Sequence, residues 1–171
     1  SSYSKVSYRD GTGSETAKVV GNGYNLYNHV SNTVGSASKG SASQLAGKEV
    51  YMDCTANKDN QSTWYRIRVA GSNTKYWVDG RALQLRKIDY VALPETTTAT
   101  FNGRSSNLRS HVYNSDWLSL NIGNAQTYKN QTFKTNSKAI IYDYNGNQMV
   151  MYRVMVGNGS FWAFESALTI K

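Results

Sequence analysis

The chain repeats itself, and that repetition limits what it can fold into more than any other feature. Residues Trp64–Leu83 (WYRIRVAGSNTKYWVDGRAL) and Met151–Leu168 (MYRVMVGNGSFWAFESAL) share one pattern. Tyr65, Ile67 and Val69 correspond to Tyr152, Val154 and Val156, Tyr76-Trp77 to Phe161-Trp162, and Ala82-Leu83 to Ala167-Leu168. Upstream, Ser4–Tyr8 (SKVSY) corresponds to Arg86–Tyr90 (RKIDY), and Asn25–Val30 (NLYNHV) to Asn107–Val112 (NLRSHV). The offset is 82 residues from Leu26 to Leu108, 87 from Tyr65 to Tyr152, and 85 at the two closing Ala-Leu pairs. A repeat that fills the chain in this way predicts two domains, 1–85 and 86–171, each large enough to bury a small core unaided.

Within each copy the pattern is that of short strands. From Trp64 to Val69, alternation puts Tyr65, Ile67 and Val69 on one face and Trp64, Arg66 and Arg68 on the other. Gly71-Ser72-Asn73 supplies a turn, and Tyr76–Val78 reads as the return strand. Val19-Val20, Gly23–Tyr27 and Lys48–Cys54 are further predicted strands, with turn clusters at Gly21–Gly23 and Asn57–Ser62. Ser31–Gln44 is small and polar and reads as a loop with one helical turn near Ala42. The second copy adds a strand at Ala139–Tyr144 and an Asn145-Gly146 hairpin signal. No window holds a helical apolar period, so the fold class is all-β, either a small barrel or a sandwich.

Composition bounds the partner more than the fold. The net charge is +8 and the isoelectric point about 9.5, with the cations spread through strand segments and not gathered in a tail. That favours a folded basic surface facing an anionic partner. Cys54 is the only cysteine, which excludes a disulfide framework and a cysteine-rich zinc site. Its alternation with Val50 and Met52 reads as a buried small side chain. No run is long and apolar enough for a membrane span. The Ser-Ser start reads as a cut end, so the lack of a signal peptide carries no weight.

Groups able to carry covalent chemistry are few. His29 and His111 occupy matching positions, and duplication of this kind fits packing or hydrogen bonding better than catalysis. A Cys54–His29 dyad has no counterpart in the second copy. Asp79 and Glu165 come nearest to a matched pair of acids, but at exit turns they read as caps and not as a glycosidase pair. No metal-ligand spacing, phosphate loop or cofactor motif is present, so the expectation is no catalytic set, no metal and no cofactor. Binding candidates are more numerous. Arg66 and Arg68 lie roughly 6.6–7 Å apart along one strand face, a spacing that can bridge successive phosphates of a polymer. Lys48, Lys75, Arg81 and Arg153 are further anion-binding candidates. Trp64, Trp77 and Trp162 are candidates for stacking on a ligand, against the alternative that Trp77 and Trp162 plug the ends of small barrels. The second copy has Arg153 and Met155 where the first has Arg66 and Arg68, so the first is expected to bind polyanion more tightly.

These stretches resemble a family. Lys5–Tyr8, Gly21–His29 (GNGYNLYNH), Ala46–Val50 (AGKEV), Trp64-Tyr65 and Tyr76–Leu83 (YWVDGRAL) in the first copy look like a GW module. So do Lys87–Tyr90, Asn107–Val112, Tyr128–Phe133 and Phe161–Leu168 in the second. The naming glycine is replaced by Tyr76 and Phe161, while both tryptophans are kept. The resemblance implies two tandem SH3-like barrels acting as a non-catalytic, extracellular wall-binding module of an exported Gram-positive protein. It implies lipoteichoic or teichoic acid as partner, with peptidoglycan and heparin-like glycans as further ones. Wall-anchoring structural repeats of a surface-layer or adhesion protein are the alternative. A nucleic-acid-binding barrel pair is a weaker one, because aromatics interleave with cations only at Trp64-Arg66-Arg68. Choline-binding repeats, which also use Gly-Trp and Tyr, are too short to match.

Overall fold

The computed structural model describes residues 2–171. The chain folds as two compact units, the first ending at Leu85 and the second spanning Arg86–Lys171. The first holds β1 (Val6–Val19), β2 (Asn25–Tyr27), β3 (Ser38–Ser41), β4 (Glu49–Lys58), β5 (Ser62–Val69), β6 (Tyr76–Asp79) and β7 (Leu83–Gln84). They lie side by side in the order β3-β2-β6-β5-β4-β1-β7. The second holds β8 (Ile88–Ala92), β9 (Thr98–Phe101), β10 (Asn107–Arg109), β11 (Asn121–Asn124), β12 (Thr132–Tyr142), β13 (Gln148–Val156), β14 (Gly159–Phe164) and β15 (Leu168–Ile170). Their order is β11-β10-β14-β13-β12-β9-β15, with β8 also paired to β12. Each sheet is antiparallel and curls into a small barrel, so the expected all-β class holds.

Three elements differ from the sequence reading. The strand expected as an addition at Ala139–Tyr144 is the end of β12, the counterpart of β4. The strand expected at Val19-Val20 begins at Val6, because Asp10, Gly11 and Gly13, which look like a turn, form a bulge inside it. The pairing of β1 with β4 slips between Asp10 and Glu15, and Gly13 takes φ +83° there. In the second unit the corresponding irregularity divides the strand into β8 and β9 around Pro94, which has no N–H for the ladder. The stretch Ser31–Gln44 also contains a strand, β3, whose backbone pairs Ser41 with Asn25 and Ser38 with Tyr27. Backbone pairing of small polar residues leaves no apolar alternation to read. The helical turn near Ala42 is a 3-10 segment, Ala42–Leu45, whose first turn is capped by Ser41 accepting from the Ser43 N–H.

The varying offset has a structural cause. The hairpin pairs Lys58–Ser62 and Ile141–Met149 enclose three residues in the first unit and seven in the second. Between Ile67–Tyr76 and Val154–Phe161 the second unit is two residues shorter, and between Tyr27–Ser38 and Arg109–Asn121 it is one residue longer. All of this length variation lies at hairpin ends, where it leaves the strand registers undisturbed.

The cores repeat closely. In the second unit Ala99, Phe101, Leu108, Ala125, Tyr152, Val154, Ala163 and Leu168 belong to one buried cluster. The first buries Ala17, Val19, Leu26, Ala42, Tyr65, Ile67, Val78 and Leu83 at matching positions. A second cluster covers the other sheet face: Val30, Cys54, Ala56, Trp64 and Trp77 in the first unit, and Val112, Ala139, Ile141, Met151 and Trp162 in the second. The central strands β5 and β13 are therefore apolar on both faces over part of their length.

Gly21 and Gly23 separate two demands on the β1–β2 turn. Both have φ near +80°, where a Cβ is strained, but a Cβ at Gly21 would also meet the Ser43 backbone at 3.2 Å, whereas Gly23 faces open space. Gly23→Ala is expected to cost about 1–2 kcal/mol of folding stability, the left-handed penalty alone. Gly21→Ala should cost more. Denaturant midpoints of the two full-length variants check the order.

Candidate functional site

The first unit carries two surfaces on which several candidate side chains meet. One is the face of the β4–β5–β6 sheet around Asp53. Arg66 Nε lies 2.7 Å from Asp53 Oδ1, and Lys75 Nζ 2.6 Å from Oδ2. Arg68 stacks over the Tyr51 ring at 4.9 Å and donates to the Ser72 carbonyl at 3.3 Å. The face thus joins Lys75 to the Arg66–Arg68 pair that alternation puts on one strand face, with a carboxylate at its centre that was not among the candidates. Burial pushes the Asp53 carboxyl up, but hydrogen bonds from Arg66 and Lys75 outweigh it and hold the group below the usual carboxylate range. Asp10, beside Cys54, also acts on Arg66, so three cations stand against two carboxylates and the patch stays positive. In the second unit Asn136, Arg153, Met155 and Ser160 take the places of Asp53, Arg66, Arg68 and Lys75. Arg153 donates to Ser160 Oγ at 3.1 Å. Net charge does not distinguish the copies: ten Lys/Arg against six Asp/Glu in the first, and nine against five in the second, leave each at +4. Their difference is one of arrangement.

The other surface is a cleft of about 660 Å³ with Trp64 in its wall. Tyr24, Tyr27, Lys58, Gln61 and Arg81 also line it. Arg81 grips Asp79 through Nε (3.0 Å to Oδ1) and Nη2 (2.8 Å to Oδ2) and lies 5.0 Å over the Tyr24 ring. Asp79 is 4% exposed and accepts from the Arg81 backbone N–H at 2.9 Å, capping the 3-10 segment Gly80–Ala82. Burial raises its carboxyl, and the Arg81 bonds more than reverse this, leaving it below the usual range. Lys58 Nζ sits 5.3 Å from the Trp64 ring centre and 2.8 Å from Ser31 Oγ. The Trp64 indole N–H donates to Ser62 Oγ at 3.2 Å, and Tyr27 meets the Trp64 ring edge-on at 5.5 Å. Tyr24, Tyr27, Lys58 and Gln61 were absent from the sequence-derived set, although Tyr24 and Tyr27 lie within the GNGYNLYNH stretch.

The remaining candidates fall elsewhere. Trp77 and Trp162 are 6% and 7% exposed and lie in the outer clusters, on the sheet face away from the barrel interior, and Trp64, 5% exposed, lies in the same cluster as Trp77. β4 and β12 contribute the small residues Ala56 and Ala139 to these clusters, which leaves room for the rings. Lys48 is exposed just before β4. Asp79 and Glu165 are not matched: β-pairing aligns Asp79 with Phe164, and Glu165, exposed, accepts from the Tyr152 hydroxyl at 3.3 Å. Among the described residues no three His, Cys, Asp or Glu side chains gather as they would to hold a metal. His29 is exposed and His111 half-buried. Cys54 is 3% exposed, and burial, with Asp10 beside it, pushes its thiol up to about 11.

Two outcomes follow. Cys54 is expected to resist alkylation in the native protein at neutral pH and to react fully once the chain is unfolded, because the thiolate is the nucleophile. Thiol titration with and without denaturant checks this. Asp53 and Asp79 have folded values below their unfolded ones. Their stabilisation is present above about pH 4 and is lost as the pH falls through the lower folded values. Urea unfolding from neutral pH into the acid range should show this loss, and Asp53→Asn should make the fall shallower.

Residues 9–84 match the family model described as GW (Gly-Tryp) dipeptide domain. No curated protein matches the chain. Among solved structures, the chain is similar to one described as "Crystal structure putative autolysin from Listeria monocytogenes", at 20% identity and a TM-score of 0.44. The match covers 98% of this chain and 66% of that one, so the chain spans less than two thirds of that protein.

Proposed function

Because residues 9–84 match the family model described as GW (Gly-Tryp) dipeptide domain, we propose that the chain is a non-catalytic binding module for anionic cell-wall glycopolymer, of the lipoteichoic or teichoic acid kind. Its place would be the wall or surface of a Gram-positive bacterium, as part of an exported protein. The second unit is read as a second module of the same kind, since its strand registers, both apolar clusters and its tryptophan repeat those of the first. Linking two weak binders on one chain raises the affinity for a polymer that offers many equivalent segments.

The observation that carries the reading is the Arg66–Arg68–Lys75 face. Asp53 orients two of these cations by hydrogen bonds without neutralising the patch. Guanidinium and ammonium groups spaced along a strand present donors to successive phosphates. The acids and the thiol, by contrast, are already engaged or buried: Asp79 with Arg81, Glu165 with Tyr152, Cys54 in the outer cluster. This supports binding over hydrolysis. The structural-repeat alternative uses the same contacts and differs only in what the remainder of the parent protein does.

Binding of the full chain to purified teichoic acid is expected to weaken steeply with salt, since polyanion contacts release counterions and are screened. At one fixed low salt concentration Arg68→Met should weaken binding several-fold, because the second unit's residue breaks the cation row. Met155→Arg should strengthen it. Titration calorimetry of the three proteins decides the matter. Salt-independent binding, or no response to either substitution, would show that this face is only solvated.

A further inference from the structure

We propose that the Trp64 cleft of the first unit is a site for an uncharged sugar residue, separate from the face that takes polyanion. The second unit has no such site at its equivalent positions. This inference stands beside the polyanion reading and does not rest on it.

Size, lining and charge all point this way. A volume of about 660 Å³ falls within the range of small-ligand sites and leaves room for one or two pyranose rings. Half-buried Tyr24 and Tyr27 supply flat apolar surface with a polar hydroxyl tip, which suits the apolar face and hydroxyl rim of a sugar. Around them stand Asn25, Gln61, Ser31 and Ser62, amides and hydroxyls that both donate and accept. A sugar hydroxyl needs that dual capacity, and a phosphate does not. The charges of the cleft cancel: Lys58 and Arg81 against Asp59 and Asp79. Asp79 holds Arg81 through both carboxylate oxygens, and Lys58 is tethered to Ser31 over the Trp64 ring. A polyanion therefore gains little here, in contrast to the positive patch around Asp53.

The second unit supplies the internal control. At its matching positions Ser106 replaces Tyr24, Ile141 replaces Lys58, Met151 replaces Trp64, Phe164 replaces Asp79 and Ser166 replaces Arg81. Ile141 and Met151 pack with Trp162, and Tyr113 and Phe164 join them with ring centres 6.0 Å apart. Where the first unit presents polar groups to solvent, the second has apolar side chains packed on one another.

The test uses the isotope-labelled full chain, titrated by NMR with three uncharged disaccharides: maltose, lactose and diacetylchitobiose. At least one is expected to give saturable shifts at the Asn25 and Gln61 side-chain amides and the Trp64 indole N–H, with an affinity that raised salt leaves unchanged. Tyr24→Ser should abolish those shifts. Gln61→Ala, at an exposed hairpin tip, should weaken binding several-fold without touching the fold. Arg68→Met should leave sugar binding intact, so that failure of this site and failure of the polyanion face are read separately. Three results each overturn the proposal: no saturable shift with any of the three sugars, shifts centred on the second unit, or sugar binding that falls with salt.

Discussion

Each unit depends on a strand that is covered on both faces. A barrel built from a sheet of seven or eight short strands encloses little volume, so its interior alone is a thin source of stability. β5 and β13 address this by sending Tyr65 and Ile67, or Tyr152 and Val154, inward, while Trp64 or Met151 faces a second apolar cluster outside. Trp77 and Trp162 sit on the neighbouring strand and close that outer cluster. A tryptophan buried fully enough to do this removes a large apolar area from water, worth roughly 3–5 kcal/mol against truncation to alanine. The retention of the tryptophan in both copies, even where the preceding glycine has become Tyr76 or Phe161, follows from this packing role.

The outer cluster also determines where the copies can diverge. Its small members Ala56 and Ala139 are the same in both units, while Trp64 of the first is Met151 in the second. Its rim differs in polarity between the two units. In the first unit that rim is Lys58, Asp79 and Arg81, which pair and stack to leave a polar cleft. In the second it is Ile141, Phe164 and Tyr113, which extend the apolar cluster outwards. One backbone thus presents two different surfaces with no change of strand register.

Charge follows a similar logic. The units carry equal net charge, yet only the first gathers Arg66, Arg68 and Lys75 around Asp53. Asp53 lies beside a slip in the β4–β5 pairing, between Met52 and Cys54, which brings Arg66 opposite Cys54 and within reach of its carboxylate. The second unit has a similar slip, between Thr135 and Ser137, but the skipped residue there is Asn136, and no carboxylate is available to gather cations. The bulge shapes the patch, and the residue type at the bulge decides whether it forms.

Sequence by itself determined the repeat, the all-β class, the inward set Tyr65, Ile67, Tyr152 and Val154, and the Arg66–Arg68 row. Each is a local pattern: period-2 alternation, turn residues and matching spacings survive without knowledge of distant neighbours. Only the tertiary structure decided the long bulged β1, the strand β3, the Asp53 hub and the cleft. A bulge reads as a turn until its partner strand is known, and β3 is held by backbone pairing that side chains do not announce. Asp53 and Lys75 lie 22 positions apart, and the walls of the cleft come from separate stretches around Tyr24, Lys58, Trp64 and Arg81. Those groups meet because the sheet curls, and the curl is a property of the whole unit that no single stretch encodes.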